Sequence, residues 1–167
     1  IPGLADGDIL GFATAGNADL NHDGVDDIVV TALGHTIIGR VDAGVCYVLY
    51  GNSGPFSATF DLTTLNGTNG STIKGQENDA YTGFAVDVSQ DANKDGKNDI
   101  LVGAAGKAFF GGTNFSVPES KAHLLFGQQG GWGISFDLAN LTVGTGRSYE
   151  TNLNELLGGA VTMLPDI

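Results

Sequence analysis

The strongest constraint on this chain is that it is written twice. Gly11-Phe12-Ala13 returns as Gly83-Phe84-Ala85, 72 residues later. At the same spacing Asp19, Asn21, Asp23, Gly24 and Asp27 fall on Asp91, Asn93, Asp95, Gly96 and Asp99, and Ile28, Val30 and Ala32 fall on Ile100, Val102 and Ala104. An ungapped run of matches that includes polar residues is not a product of composition, and a repeat of this length means stacked supersecondary units. Further on, Tyr50-Gly51 and Phe60-Asp61-Leu62 match Phe126-Gly127 and Phe136-Asp137-Leu138 at a spacing of 76. The second unit therefore carries a short insertion, placed in the Gly/Phe/Ser/Pro stretch between Gly106 and Ser120. A third unit opens at Leu157-Gly158-Gly159-Ala160-Val161, with Gly159 where the others have Phe12 and Phe84. The units are expected at residues 1–81, 82–156 and 157–167, the last truncated.

Each unit reads as strands. Ile28-Val29-Val30, Val45–Tyr50, Phe84–Val88, Ile100–Ala104 and Ala122–Phe126 are short apolar or β-branched runs. The 27 glycines lie between such runs rather than in a collagen-like period. Thr72-Ile73-Lys74 and Arg147-Ser148-Tyr149 supply a more polar outer strand. Four antiparallel strands in about 70 residues is the pattern of a propeller blade. The expected fold is all-β, a partial β-propeller of four-stranded antiparallel blades, with Phe12 and Phe84 packed between blades. Two or three blades cannot close a ring, and open blades leave unpaired edges. The remaining blades of the same chain or neighbouring subunits are thus expected partners. A start at Ile1 suggests a processed chain or a fragment.

The acidic loops have the form D-x-N-x-D-G-x-x-D. Calcium takes six to eight oxygens from carboxylates, amides, backbone carbonyls and water. In the first loop Asp19, Asn21 and Asp23 offer side-chain oxygens at alternate positions, Gly24 permits a sharp turn, Val25 offers its carbonyl, and Asp27 closes the site with one or two oxygens. The second loop offers Asp91, Asn93, Asp95, the carbonyl of Lys97, and Asp99. An EF-hand or dockerin-type loop requires an acidic residue at position 12, where this chain has Val30 and Val102. The metal-free alternative is a pair of Asx-rich hairpin turns. Two copies in register favour calcium, and magnesium suits so many protein ligands less well. A third loop starting at Asp166 is incomplete.

Charge narrows the partners. A net charge of -12, from 19 acidic and 7 basic residues, argues against nucleic acid and anionic membranes, and no segment is long and apolar enough to insert in a bilayer. Cys46, the single cysteine, excludes an internal disulfide and sits in an apolar run as a buried thiol. His22, His35 and His123 belong to no cluster of catalytic or zinc-binding spacing, so no enzymatic activity is expected in this segment. Four N-x-S/T sequons begin at Asn66, Asn69, Asn114 and Asn140; glycosylation would suit a secreted protein, although Asn/Gly/Ser/Thr-rich turns also generate sequons by chance. Phe109, Phe110, Phe115 and Trp132 either pack against a neighbouring blade or form a recognition surface.

The segments from Gly11 to Ala32 and from Asp91 to Ala105 resemble the FG-GAP repeat, the blade unit of the integrin α-subunit propeller. Ile100-Leu101-Val102-Gly103-Ala104-Ala105 stands where that family has its G-A-P, and Phe60–Gly67 resembles secreted, integrin-like FG-GAP proteins of bacteria and protists. The sequence departs from the pattern in having "GF" for "FG-G" and no proline after Ala105. The resemblance implies a seven-bladed propeller with calcium in hairpin loops, an extracellular setting, and adhesion, structural assembly or recognition of a protein or glycan ligand without catalysis. Carbohydrate recognition, or service as an accessory propeller in a secreted enzyme whose active site lies elsewhere, are the alternatives.

Overall fold

A computed structural model describes residues 1–54, 59–88, 91–106, 120–150 and 157–163. Among them are nine strands: β1 (Leu10–Ala18), β2 (Asp27–Ala32), β3 (Val45–Leu49), β4 (Gly70–Lys74), β5 (Thr82–Val88), β6 (Ile100–Ala104), β7 (Lys121–Leu125), β8 (Ser135–Asp137) and β9 (Gly146–Glu150). The chain is all-β, as expected. β1 to β4 form one antiparallel meander, and β5, β6, β7 and β9 form another in the same order. The outer strands predicted around Ile73 and Ser148 are β4 and β9. The insertion of the second unit, with Phe109, Phe110, Phe115 and the Asn114 sequon, lies outside the described residues, as does Asp166.

The two sheets repeat in detail. β1 and β5 each carry a register shift just after their start. It falls at Gly11-Phe12 and at Gly83-Phe84, and both glycines are left-handed, at φ +84° and +95°. A left-handed glycine beside an extra residue is how a strand bulges and twists. The bulge brings Gly83 so close to β2 that an added Cβ would lie 2.7 Å from the Thr31 Cβ. Gly158, also left-handed at φ +81°, sits against Gly103, the residue that corresponds to Thr31. β5 packs along β1, β2 and β3. One core cluster thus joins both sheets, including Leu20, Val29 and Cys46 of the first with Ile100, Val102 and Leu125 of the second.

Phe12 and Phe84 meet across this joint, their ring centroids 5.0 Å apart. Phe12 remains 43% exposed, however, and Phe84 is half-buried, so the pair meets at the rim of the joint and not in the core. Trp132 is buried in the shared cluster, where its backbone amide donates to the Tyr50 hydroxyl at 3.2 Å. It packs rather than forming a recognition surface. Cys46 is fully buried, and that burial pushes its thiol up to about 12; it is an inert core residue.

One strand differs from the expected four per blade. β8, which belongs by sequence to the second unit, crosses back and pairs in parallel with β4, making a five-stranded sheet. Phe136-Asp137-Leu138 is too short to signal a strand by periodicity; its pairing is dictated by a partner about 60 residues away in sequence, which no local pattern reports. The joint is reinforced by Arg40, whose guanidinium donates to both carboxylate oxygens of Asp137, at 2.9 and 2.5 Å, and to the Gly75 carbonyl.

His123 lies in β7 where the first unit has Tyr47. It is fully buried. Its Nδ1 faces the Ser148 hydroxyl at 3.1 Å, while Nε2 has no partner among the described residues. Burial, assisted by Lys121, pushes the imidazole down to about 4. The unfolded chain, with an ordinary histidine near 6.5, takes up the proton first, so stability is present above that value and is lost as pH falls towards 4. Between pH 7 and pH 4.5 this one group should cost roughly 2 kcal/mol. Urea denaturation of the wild type and of His123→Phe at the two pH values should show the smaller acid loss in the variant; equal losses would exclude the histidine as the cause.

Candidate functional site

The two acidic loops join β1 to β2 and β5 to β6. Their backbones turn alike: the fourth position is left-handed in both (His22 φ +60°, Lys94 φ +62°), and so is the sixth (Gly24 +91°, Gly96 +87°). Such non-glycine left-handed residues are uncommon, so a shared pair marks a shared conformation.

The side chains repeat as well. Asp19 Oδ1 accepts from the Asp23 amide at 2.9 Å and Oδ2 from the Gly24 amide at 2.7 Å; Asp91 accepts from Asp95 and Gly96 at the same distances. Asn21 Oδ1 also accepts from the Asp23 amide, and its Nδ2 donates to Asp23 Oδ2 at 2.9 Å; Asn93 and Asp95 do likewise. Asp23 Oδ1 accepts from the Val25 amide, and Asp95 Oδ1 from that of Lys97. Asp19, Asn21 and Asp23 therefore belong to one network, as do Asp91, Asn93 and Asp95. In the second loop the Lys97 ammonium adds an ion pair to Asp95 at 3.4 Å. Asp95 is held below the usual carboxylate range by its bonds to Asn93 and to Lys97, which outweigh the opposing effect of burial.

Asp27 and Asp99 stand apart. Both are buried at the foot of their loops. Asp27 Oδ2 accepts from the amides of Leu20 at 2.8 Å and Asn21 at 3.3 Å, and Oδ1 accepts from the Gly51 amide at 2.8 Å. Asp99 repeats this with Ala92 and Gly127, both at 2.8 Å. Each carboxylate thus ties the start of its loop to the chain just beyond the third strand. Burial pushes Asp27 up to about 6 against these hydrogen bonds, and pushes Asp99 up too. This clamp was not foreseen from the loop pattern. Its sequence signal was the match of Gly51 with Gly127: a Cβ at either would collide with the loop backbone, at Asp26 O or Asn98 O.

The donor set fits a hard dication in kind: carboxylates, an amide oxygen and backbone carbonyls. Yet among the described residues no three His, Cys, Asp or Glu side chains are grouped as a preformed metal cage. The loop oxygens instead face backbone amides. An ionised carboxylate has about four acceptor positions. Asp19 uses two, and Asp27 uses three, leaving it room for one further bond. His22 is exposed, and its carbonyl accepts from Gln129 at 3.1 Å; the Asn21 carbonyl accepts from the Gly130 amide at 2.8 Å. The first loop is thereby held against the β7–β8 connection of the second unit. Of the described sequons, Asn66 and Asn140 are exposed, whereas Asn69 is half-buried with its Nδ2 donating to the Thr64 carbonyl. No described helix is long and apolar enough to cross a membrane.

If Asp27 is the clamp, replacing it should matter more to the ion-free fold than replacing an exposed loop acid. In the presence of EGTA, Asp27→Ala should lower unfolding stability by at least about 2 kcal/mol, because three amides lose their acceptor. Asp23→Ala should stay within about 1 kcal/mol. Chemical denaturation checks both, and similar losses would place the clamp elsewhere.

Comparison with known proteins agrees with the repeat. Residues 12–49, which run from β1 through β3 of the first sheet, match the model of the FG-GAP repeat. Phosphatidylinositol-glycan-specific phospholipase D of Rattus norvegicus is 39% identical over 95 residues, 57% of this chain but 11% of that protein. The Bos taurus protein of the same name matches to the same extent. The aligned part spans about a tenth of the length of these curated relatives. What the family match and the twin sheets establish together is that the chain carries an FG-GAP repeat, set in a β-propeller-like stack of two blades.

Proposed function

We propose that this segment is a calcium-stabilised, non-catalytic propeller module of an extracellular protein, in which each acidic loop holds one ion. The observation that carries the reading is the duplication of the loop network. Two loops far apart in sequence share backbone angles, hydrogen bonds and the identity of every candidate side-chain ligand. A turn that needed only Asx capping would not require three carboxylates in each copy. In the proposed site Asp19, Asn21, Asp23, the Val25 carbonyl and Asp27 hold the first ion, with Asp27 giving one oxygen while it keeps its amides. Asp91, Asn93, Asp95, the Lys97 carbonyl and Asp99 hold the second. Binding would draw the loop carboxylates inward, and the dication would offset their mutual repulsion. Adhesion, ligand recognition or structural assembly is the role that such a rigid module would serve.

A second reading is supported by the phospholipase D relatives: the segment is an accessory propeller of a larger secreted enzyme. The calcium chemistry would be the same under either reading.

Calcium at about a hundredfold over Kd should add about 2.7 kcal/mol per site, raising Tm by several degrees for a domain of this size. EGTA should reverse the rise, and the pair Asp19→Asn with Asp91→Asn should abolish most of it. A Tm indifferent to calcium would remove the ion from the account and leave two Asx-capped hairpins.

A further inference from the structure

The two sheets share a groove that is filled in one and, among the described residues, open in the other. In the first sheet, β8 runs along the outer edge of β4: Thr72 pairs with Ser135, Ile73 with Phe136, and Lys74 with Asp137. The Thr72 amide donates to the Ile134 carbonyl at 3.1 Å, and the Ser71 hydroxyl donates to the Gly133 carbonyl. The corresponding edge of the second sheet is β9, where Arg147, Ser148, Tyr149 and Glu150 replace Ser71, Thr72, Ile73 and Lys74. β9 pairs with β7 in the register that β4 keeps with β3, so the Ser148 amide is aimed outward as that of Thr72 is.

Among the described residues nothing pairs with that outer edge. Its burial shows the difference. Ile73 is fully buried, whereas Tyr149 at the same register is 51% exposed, and Val143, in the loop before β9, is 80% exposed. β4 is buried or half-buried throughout, while all of β9 beyond Gly146 is exposed. Along it runs a cleft of about 340 Å³ lined by Leu138, Leu141, Val143, Ser148 and Glu150 among others. Leu138 and Leu141 correspond to Leu62 and Leu65, which pack with Val45, Tyr47 and Leu49 on the face of the first sheet.

We propose that this cleft is a strand-acceptor site, which takes a parallel, phenylalanine-bearing strand of the β8 type from a further repeat unit. Charge defines the occupant more closely. In the filled groove Asp137 lies opposite Lys74 and is gripped by Arg40. In the open one Glu150 takes the place of Lys74, and its nearest described cation, Lys121 at 3.3 Å, is already shared with Glu77. An aspartate at the third position would meet Glu150. The incoming strand is therefore of the Ser-Phe-x type with x basic or neutral, in place of the aspartate that follows phenylalanine in both units of this sequence. This also argues against a second copy of this chain as the occupant, since its corresponding segment is Thr59-Phe60-Asp61. The inference is independent of calcium and extends the module reading to the manner in which the next unit joins.

The test uses the whole chain and two fluorescent peptides: residues 131–140 as written, and the same peptide with Asp137→Lys. The lysine peptide should bind saturably below about 1 mM, and about threefold more tightly than the aspartate peptide, as expected for one half-exposed charge pair. Glu150→Lys, a surface change, should reverse that preference. Hydrogen exchange of the Ser148 amide should slow when the peptide is bound. Three results would overturn the proposal: no saturable binding of either peptide, binding that leaves Ser148 exchange unchanged, or self-association without peptide that protects Ser148, which would put a second copy in the cleft.

Discussion

Asp27 and Asp99 are the points on which each blade hangs. A blade is a meander, and a meander fixes neighbours in the ladder but does not fix how its end loops sit. Here one buried carboxylate receives amides from the entry of the acidic loop and from the chain leaving the third strand. Burying an ionisable group is costly unless it is well bonded. The upward push on Asp27 shows that cost remaining even with its three donors. The same residue position closes the loop, so the loop conformation and the register of β1, β2 and β3 are settled together. Gly51 and Gly127 are consequences: only a residue without Cβ lets the chain come near enough to donate.

The joint between blades rests on a different principle, close approach of backbone to backbone. Gly83 lies on Thr31 of the first blade, and Gly158 lies on Gly103 of the second. Larger residues at those points would hold the sheets apart and leave Cys46, Val102 and Trp132 short of contacts, at the cost that cavities carry in cores. β8 then ties the outer rim, with its backbone pairing to β4 and the Asp137–Arg40 pair. Inner glycine contact and outer strand exchange constrain a blade at both ends, which leaves little freedom for rocking about the shared core.

Much of this was legible in the sequence. The spacing of 72 placed the hairpins and the acidic loops, because residues that serve the same backbone geometry must recur with it. The outer strands were legible as more polar segments near Ile73 and Ser148. What could not be read was anything that depends on a partner distant along the chain. Ser135–Asp137 has no strand signal of its own. Trp132 stays open between packing against a neighbouring blade and a surface role until the Tyr50 hydroxyl and the neighbouring sheet are placed around it. Phe12 and Phe84 both read as packed between blades, but the repeat does not report that Phe12 stays 43% exposed. In the loops, residue type identified the candidate ligands, yet not that the final aspartate has a structural task of its own.

That second task bears on how an ion and the fold would act on one another. Asp19, Asn21 and Asp23 lie in a half-exposed loop whose side-chain bonds among themselves are local, two to five residues apart. Those side chains can shift while the Asn21 and His22 carbonyls keep the loop tied to Gly130 and Gln129. Asp27 cannot, since moving it would strip amides on both sides of the blade. An ion bound there would meet one fixed ligand and several adjustable ones. Its binding energy would go chiefly into ordering the loop around an anchor already in place, not into building the blade. The loops then read as staples on hairpins that the clamp has already set, and the surfaces free to meet partners are those which neither the clamp nor the staple occupies.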